Sequence, residues 1–242
     1  MNPMRALLFP DWDLESLLLN VDPSREDEFS LMVASIQAGQ LEEAEEWLAN
    51  EISRYPWVLM AAALVKLKMN EAAEAGRLLR AVTLISSEAR LRLWAWHTLR
   101  SLGKYPSPDL ARQVLGVVIE VPFEESQDTL AAYADGSARY INHQGGAIVW
   151  DRVDETITPL VMNVIRETTP LGAPQEERLD DPIPPEEVRL SVLTPGGIYV
   201  WQGEAAENPA LTKVFAGMAE LLRVLIRVAI EQRQNGDVDE EE

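Results

Sequence analysis

The side chains that most often carry chemistry are few in this sequence and poorly spaced for it. There are two histidines, His97 and His143, and no cysteine. Without cysteine, disulfides, thiolate nucleophiles, iron–sulfur clusters and thiolate zinc sites are all removed, and the composition fits a reducing compartment. The two histidines lie far apart with no HxxxH or HExxH spacing, so they do not place two imidazoles on one helix face. His97, within LRLWAWHTLR, reads as a partly buried structural residue, and His143 as a solvated residue of a turn. The acidic groups Glu124-Glu125-Asp128 and Asp151-Asp154-Glu155 could offer oxygen ligands to a hard cation, yet neither carries the central glycine of a calcium loop. We read them as surface carboxylates. No GxSxG, GxxxxGK[ST] or GxGxxG occurs, so the serine-hydrolase elbow, the phosphate loop and the dinucleotide fingerprint are missing. The expectation is a non-enzymatic protein with no cofactor and no metal.

Charge points the same way. The 242 residues carry a net charge of −19, with 47% hydrophobic residues. That is enough apolar material for a core, so the acidity belongs to a globular surface rather than a disordered chain. Phosphate backbones and anionic membranes are bound by clustered lysine and arginine, so nucleic acid is not an expected partner; a protein with a basic surface is. The start, MNPMRALLFPDWDLE, lacks a basic n-region followed by a long apolar core, and no apolar run reaches the about 18 residues of a membrane span. We expect a cytoplasmic protein. Only four of the 21 basic residues are lysine, a bias expected of a GC-rich, bacterial coding sequence.

The elements that position these residues fall into four stretches. Residues 1–28 hold Pro3, Pro10 and Pro23 around the apolar run Leu14 to Leu19 and read as an irregular lead-in with one helical piece, with Asp11 or Asp13 as a helix cap. Residues 29–115 keep a helical period. In AGQLEEAEEWLANEISRYP, Gly39 closes one helix, Ala44 and Leu48 sit four residues apart on the next, and Pro56 ends it. A bulky side chain at Ala44 would push the two helices apart. This spacing resembles the second half of a tetratricopeptide repeat, although the family's aromatic and glycine positions in the first helix fall here on Glu28 and Met32, and its later alanine on Glu51. Ala75 with Leu79, and Ala111 with Leu115, repeat the four-residue step at intervals of 31 and 36 residues, around the about 34 of a regular array. The resemblance implies paired helices that bind another protein.

From Gly116 the period turns to alternation. GVVIEVPF reads as a strand, and TLAAYADGSARYIN as two strands joined at Asp135-Gly136. A second turn at Gly145-Gly146 leads into AIVWD, and Thr156 to Glu167 reads as a helix interrupted or bent near Pro159. Residues 168–187 carry five prolines and read as an exposed loop. VRLSVLTPGGIYVWQGE is a further hairpin turned at Pro195-Gly196-Gly197. Asn208 and Pro209 then open a last helix, with Leu211, Val214, Met218, Leu221, Leu225 and Val228 on one stripe. GGAIVWD and GGIYVWQ share glycines, valine and tryptophan in register, which suggests two strand–turn–strand–helix units around one sheet. Residues 237–242 read as an acidic tail without an apolar face.

The fold class expected is therefore α+β, with helical hairpins at 29–115 and an antiparallel sheet backed by helices at 116–236. The function expected is an adaptor or regulatory subunit that binds a protein partner, with a homo-oligomer through the last helix as a variant. The alternative is a small-ligand sensor whose pocket is lined by Tyr133, Tyr140, Trp150, Tyr199 and Trp201.

Overall fold

The structure is a computed structural model that describes residues 3–11, 28–50, 55–124 and 126–236. The expected acidic tail and the Leu14–Leu19 run lie outside the described residues. The fold is α+β, and the chain divides into two compact units, Phe9–Ala111 and Met1–Leu8 with Arg112–Glu242. The division falls just before the boundary expected at 115/116. The first residues are no mere lead-in either, since Pro3–Ala6 forms a helical turn, α1, that belongs to the sheet unit. The cause is specific: the carbonyl of Leu8 accepts a 2.8 Å hydrogen bond from the buried Tyr133 hydroxyl.

The helical unit contains α2 (Glu28–Gln37), α3 (Leu41–Asn50), α4 (Pro56–Lys68), α5 (Ala72–Ile85), α6 (Ala89–Ser101) and α7 (Pro108–Ala111). Three of its helices stop in one way. Gly39, Asn70 and Gly103 have φ of 75°, 62° and 70°, the left-handed conformation that glycine and asparagine tolerate best. After each, the next N–H reaches back five residues: Gln40 to Ser35 O at 2.9 Å, Glu71 to Lys66 O at 2.8 Å and Lys104 to Leu99 O at 2.9 Å. These bonds satisfy carbonyls that a helix end leaves without partners.

Five residues beyond the first two turns stand Ala44 and Ala75, and four further on Leu48 and Leu79; all four are buried. The third member of the expected series departs. The residue five beyond Gly103 is Pro108, Ala111 ends a four-residue helix, and Leu115 is the last residue before a strand. No helix carries both Ala111 and Leu115: α7 stops at Ala111, and the Leu115 N–H donates to Leu193 O at 2.9 Å, already part of the sheet's bonding. Pro56 also takes a different place. It opens α4 at its first turn rather than ending α3, a position where its missing N–H costs nothing.

Full enclosure at Ala44 makes an expected result concrete. Ala44→Leu should lower stability by about 1–3 kcal/mol through overpacking, while Gln40→Leu, at an exposed position, should leave the urea midpoint almost unchanged. Equal midpoints for the two variants would show that the α3 contact tolerates bulk.

The sheet unit is built on β1 (Gly116–Phe123), β2 (Ser126–Tyr133), β3 (Ala138–Ile141), β4 (Ala147–Trp150), β5 (Val188–Thr194) and β6 (Gly197–Gly203). All pairings are antiparallel, in the order β4-β3-β2-β1-β5-β6. The turns sit where glycine permits them. Gly136 (φ 86°) lies between β2 and β3, with Asp135 Oδ1 accepting from Ser137 N at 2.9 Å, and Gly145 (φ 89°) lies between β3 and β4. Pro195 and Gly196 form the two-residue link between β5 and β6, since Thr194 already pairs with Gly197. Two helices follow the hairpins: α8 (Thr158–Glu167) after β4, and α9 (Thr212–Gly236) after β6, the latter led in by a 3-10 turn at Pro209–Leu211. Pro159 stands in the first turn of α8, so it starts that helix instead of bending it. Among residues 168–187 there is no helix or strand, only an isolated bridge from Gln175 to Ile198.

Strand alternation sorts the side chains to two faces. Val117, Leu130, Ala132, Ala138, Trp150, Leu190, Val192 and Tyr199 form one core with Val161 and Val164 of α8, with Leu211 of the 3-10 turn, and with Val214, Met218, Leu221, Val224 and Leu225 of α9. Leu221 and Leu225 are fully covered inside this unit, which removes them from any seam with a second copy.

Candidate functional site

The face of the sheet that carries α9 is incompletely covered. Beside its buried stripe, α9 presents a second apolar row, Phe215, Ala219, Leu222, Ile226 and Ile230, at steps of three and four residues, with Ala229 next to its end. Opposite this row lie the ends of β1 to β4. Ile119, Val121, Leu130 and Tyr140 face the N-terminal half of the row across a cavity of about 160 Å³. Tyr140, Ala147 and Ile148 face the C-terminal half across one of about 340 Å³. Tyr140 borders both, which sets them end to end as a groove along α9; the walls of the first are almost wholly apolar, and Asn142 and Gly146 add polar surface to the second.

Asp128 is the carboxylate in the wall of this groove, and it is held from three directions. It accepts from the Tyr140 hydroxyl at 2.9 Å, from the His143 backbone N–H at 2.7 Å, and pairs with His143 Nδ1 at 3.0 Å. The His143 ring in turn stacks on Phe123, with centroids 3.9 Å apart and planes at 25°. Burial pushes Asp128 upward, but its bonds to His143 and Tyr140 outweigh this and hold it below its ordinary value. Burial, joined by the Asp128 carboxylate beside it, pushes the Tyr140 phenol up to about 12. The group is thus a charged aspartate, a protonated tyrosine and an oriented imidazole. His143, expected as a solvated turn residue, is tied to the sheet instead, because the β3–β4 turn folds back over the start of β2.

A carboxyl depressed on folding contributes stability above its unfolded value of 3.8 and loses it as pH falls through the folded value. Asp128→Asn should therefore be less stable than the parent chain at about pH 5, and the gap should narrow toward about pH 3. Urea unfolding of both chains across that range measures it; a gap independent of pH would mean that Asp128 acts through packing alone.

Among the described residues no three histidine, aspartate or glutamate side chains converge as a metal site. Gly39, Ala44, Leu48 and Pro56 are together in the helical unit, whereas Asp135, Gly136, Gly145, Gly146, Gly196 and Gly197 shape turns of the sheet unit and share no single site. Of the five aromatic residues expected in a pocket, only Tyr140 lines the groove. Tyr133 points to the opposite face, since it pairs with Gly116 one step out of phase with Leu130, while Trp150 and Tyr199 are core and Trp201 packs on Phe215 at 5.7 Å.

The opposite face hides a second polar group that the sequence reading passed over. Glu120 and Arg189 are 5% and 2% exposed and pair across β1 and β5, with 3.8 Å between Glu120 Oε2 and Arg189 Nη1. Arg189 also donates to Leu179 O at 2.7 Å, Asp181 O at 2.6 Å and Gln202 Oε1 at 3.0 Å. A charged residue within each apolar strand, Glu120 in the middle of β1 and Arg189 second in β5, was the available signal. Burial raises Glu120, opposed chiefly by Arg189 and by a hydrogen bond from Gln127. Through its bonds to Leu179 O and Asp181 O, Arg189 anchors the proline-rich loop.

Charge is unequal between the regions. Residues 112–242 hold 24 acidic and 10 basic side chains, while 28–111 hold 10 and 9. The groove therefore lies in the acidic part of the chain. No described helix is long and apolar enough to cross a membrane. Comparison with family models, with curated proteins and with solved structures finds no match to this chain.

Proposed function

We propose that this chain is a non-enzymatic adaptor or regulatory subunit that binds a protein partner of basic surface, working in the cytoplasm. The observation that carries the reading is the groove along α9, an apolar channel left open in the acidic part of the chain. Apolar area of this kind, rimmed by polar groups, is what a partner's side chains bury. The acidity adds attraction to a basic partner and repels copies of the chain itself. The equal spacing of Gly39 with Ala44 and of Asn70 with Ala75 supports a tetratricopeptide-like pair of hairpins as a second contact surface.

The test is recovery of a stoichiometric complex from the native cell by affinity purification of the full chain, followed by gel filtration at rising salt. A basic protein that co-elutes and dissociates as salt increases is the expected result. A chain that elutes alone under every gentle condition counts against the reading.

One observation favours a second reading, a small-ligand sensor: the cavity of about 160 Å³ under Tyr140 is apolar with a single fixed carboxylate, Asp128, in its wall. Thermal stabilisation by a compound library in the absence of any protein would support it. Loss of that stabilisation in Leu222→Trp, which fills the cavity, would place the ligand there.

A further inference from the structure

The sheet has two outer edges, and the described chain covers one of them in part. At β6 the chain pairs with itself: Gln175 N–H donates to Ile198 O and Ile198 N–H to Gln175 O, both at 2.8 Å. At β4 the register leaves the other edge free. Asn142 N–H donates to Gly146 O at 2.9 Å, so Asn142 and Gly146 are a hydrogen-bonded pair, as are Tyr140 with Ile148 and Ala138 with Trp150. The intervening residues, Ala147 and Val149, must then aim their N–H and C=O groups away from β3. Among the described residues no backbone group meets them.

Its four residues make it short, but this edge has no other usual protection: it carries no proline, lysine or bulge, and Val149 is 59% exposed. It also borders the groove, because Ala147 and Ile148 form the groove's wall opposite Ile226 and Ile230.

We propose that β4 is a strand-addition site: an extended segment of a basic partner pairs with Ala147 and Val149 and turns alternate apolar side chains into the groove beside α9. The backbone of the edge supplies donors and acceptors, and the groove supplies side-chain selection, the two components of recognition by an added strand. Charge selects the occupant. Asp151 and Asp154 beside the strand are already paired, with Arg139 and Arg152, so the selection comes from the wider field: residues 112–242 have a net charge of −14, and lysine or arginine flanking the added strand is attracted while a second copy of this chain is repelled. The proposal rests on the protein-binding reading above and assigns it a place and a mode.

The probe is a displayed library of short peptides with alternating apolar positions, half of them flanked by lysine and arginine and half by aspartate and glutamate. Selection on the full chain should enrich the basic-flanked half, with affinity that falls as salt rises. Val149→Pro removes an outward N–H that β3 does not use, a substitution that edge strands accept. It should leave the unfolding midpoint nearly unchanged and weaken the selected peptides about tenfold. Val149→Lys keeps the N–H but repels a basic strand, and should weaken them too should the proline variant fail to fold. Amide exchange at Ala147 and Val149 should slow in the complex. Selected peptides that ignore both substitutions, equal enrichment of both halves, or no enrichment overturns strand addition, even where the native complex forms. Self-association of the parent chain that Val149→Pro abolishes would make a second copy the occupant and overturn the proposal as well.

Discussion

A chain ended at Ala210 is expected to lose the folded sheet unit altogether, while one ended at Gly236 should unfold as the full chain does. The difference comes from six side chains. Leu211, Val214, Met218, Leu221, Val224 and Leu225 are all buried against the sheet and α8. Each covered aliphatic side chain is worth about 1.5–3 kcal/mol relative to exposure. Together they match the about 5–15 kcal/mol by which a domain is stable at all, and their loss would also bare Leu190, Val192 and Trp150 to water. Leu221→Ala samples the same contact at one position and should cost about 2–5 kcal/mol. Urea unfolding followed by tryptophan fluorescence reports both. A soluble, cooperatively unfolding chain without residues 211–242 would show that α9 is an accessory to the sheet rather than half of its core.

Arg189→Ala should be nearly as damaging. Removing one partner of a buried ion pair leaves the other charge without compensation, typically at about 3–5 kcal/mol. Here Glu120, 5% exposed, would keep its bond from Gln127 and the weaker pull of the Arg5 and Arg178 charges. The substitution also strips donors from Leu179 O and Asp181 O, so the proline-rich loop should become open to proteolysis between Pro174 and Pro184 well before the sheet unfolds. Arg189→Lys should rescue little, since one ammonium cannot reach Glu120, Gln202 and two carbonyls in the fork geometry of a guanidinium. Limited proteolysis beside chemical unfolding measures the two effects separately. An unchanged cleavage rate would mean that the loop is held by other contacts, such as Gln175 with Ile198.

Much of the fold was legible because its signals act over a few residues. GVVIEVPF is β1 residue for residue. Asp135-Gly136 and Gly145-Gly146 mark turns because their backbones need a conformation that glycine adopts without strain. Asn208 caps the 3-10 turn before α9 through a 3.2 Å bond from Ala210 N, as its place before Pro209 implied. The two glycine-led, tryptophan-ended segments fell at equivalent places, the two outermost strands, each followed by a helix. Where local reasoning failed, proline was the usual cause. Pro56 and Pro159 can end a helix or begin one, and the chemistry of the residue is the same in both cases.

The candidate site was not legible, for a different reason. Asp128, Tyr140 and His143 are drawn together by the pairing of β2 with β3 and by the turn that follows, and Glu120 with Arg189 by a pairing between strands separated by most of the sheet unit. The sequence by itself determined the alternation of the strands, the stripes of α9, the turns and the acidity, since these depend on neighbours along the chain. Only the tertiary structure decided which side chains face one another, that Tyr133 lies on one face and Tyr140 on the other, that α9 leaves a groove uncovered, and that β4 is the open edge. Strand register and helix placement are long-range choices: shifting a strand by one residue exchanges its two faces without altering its local pattern.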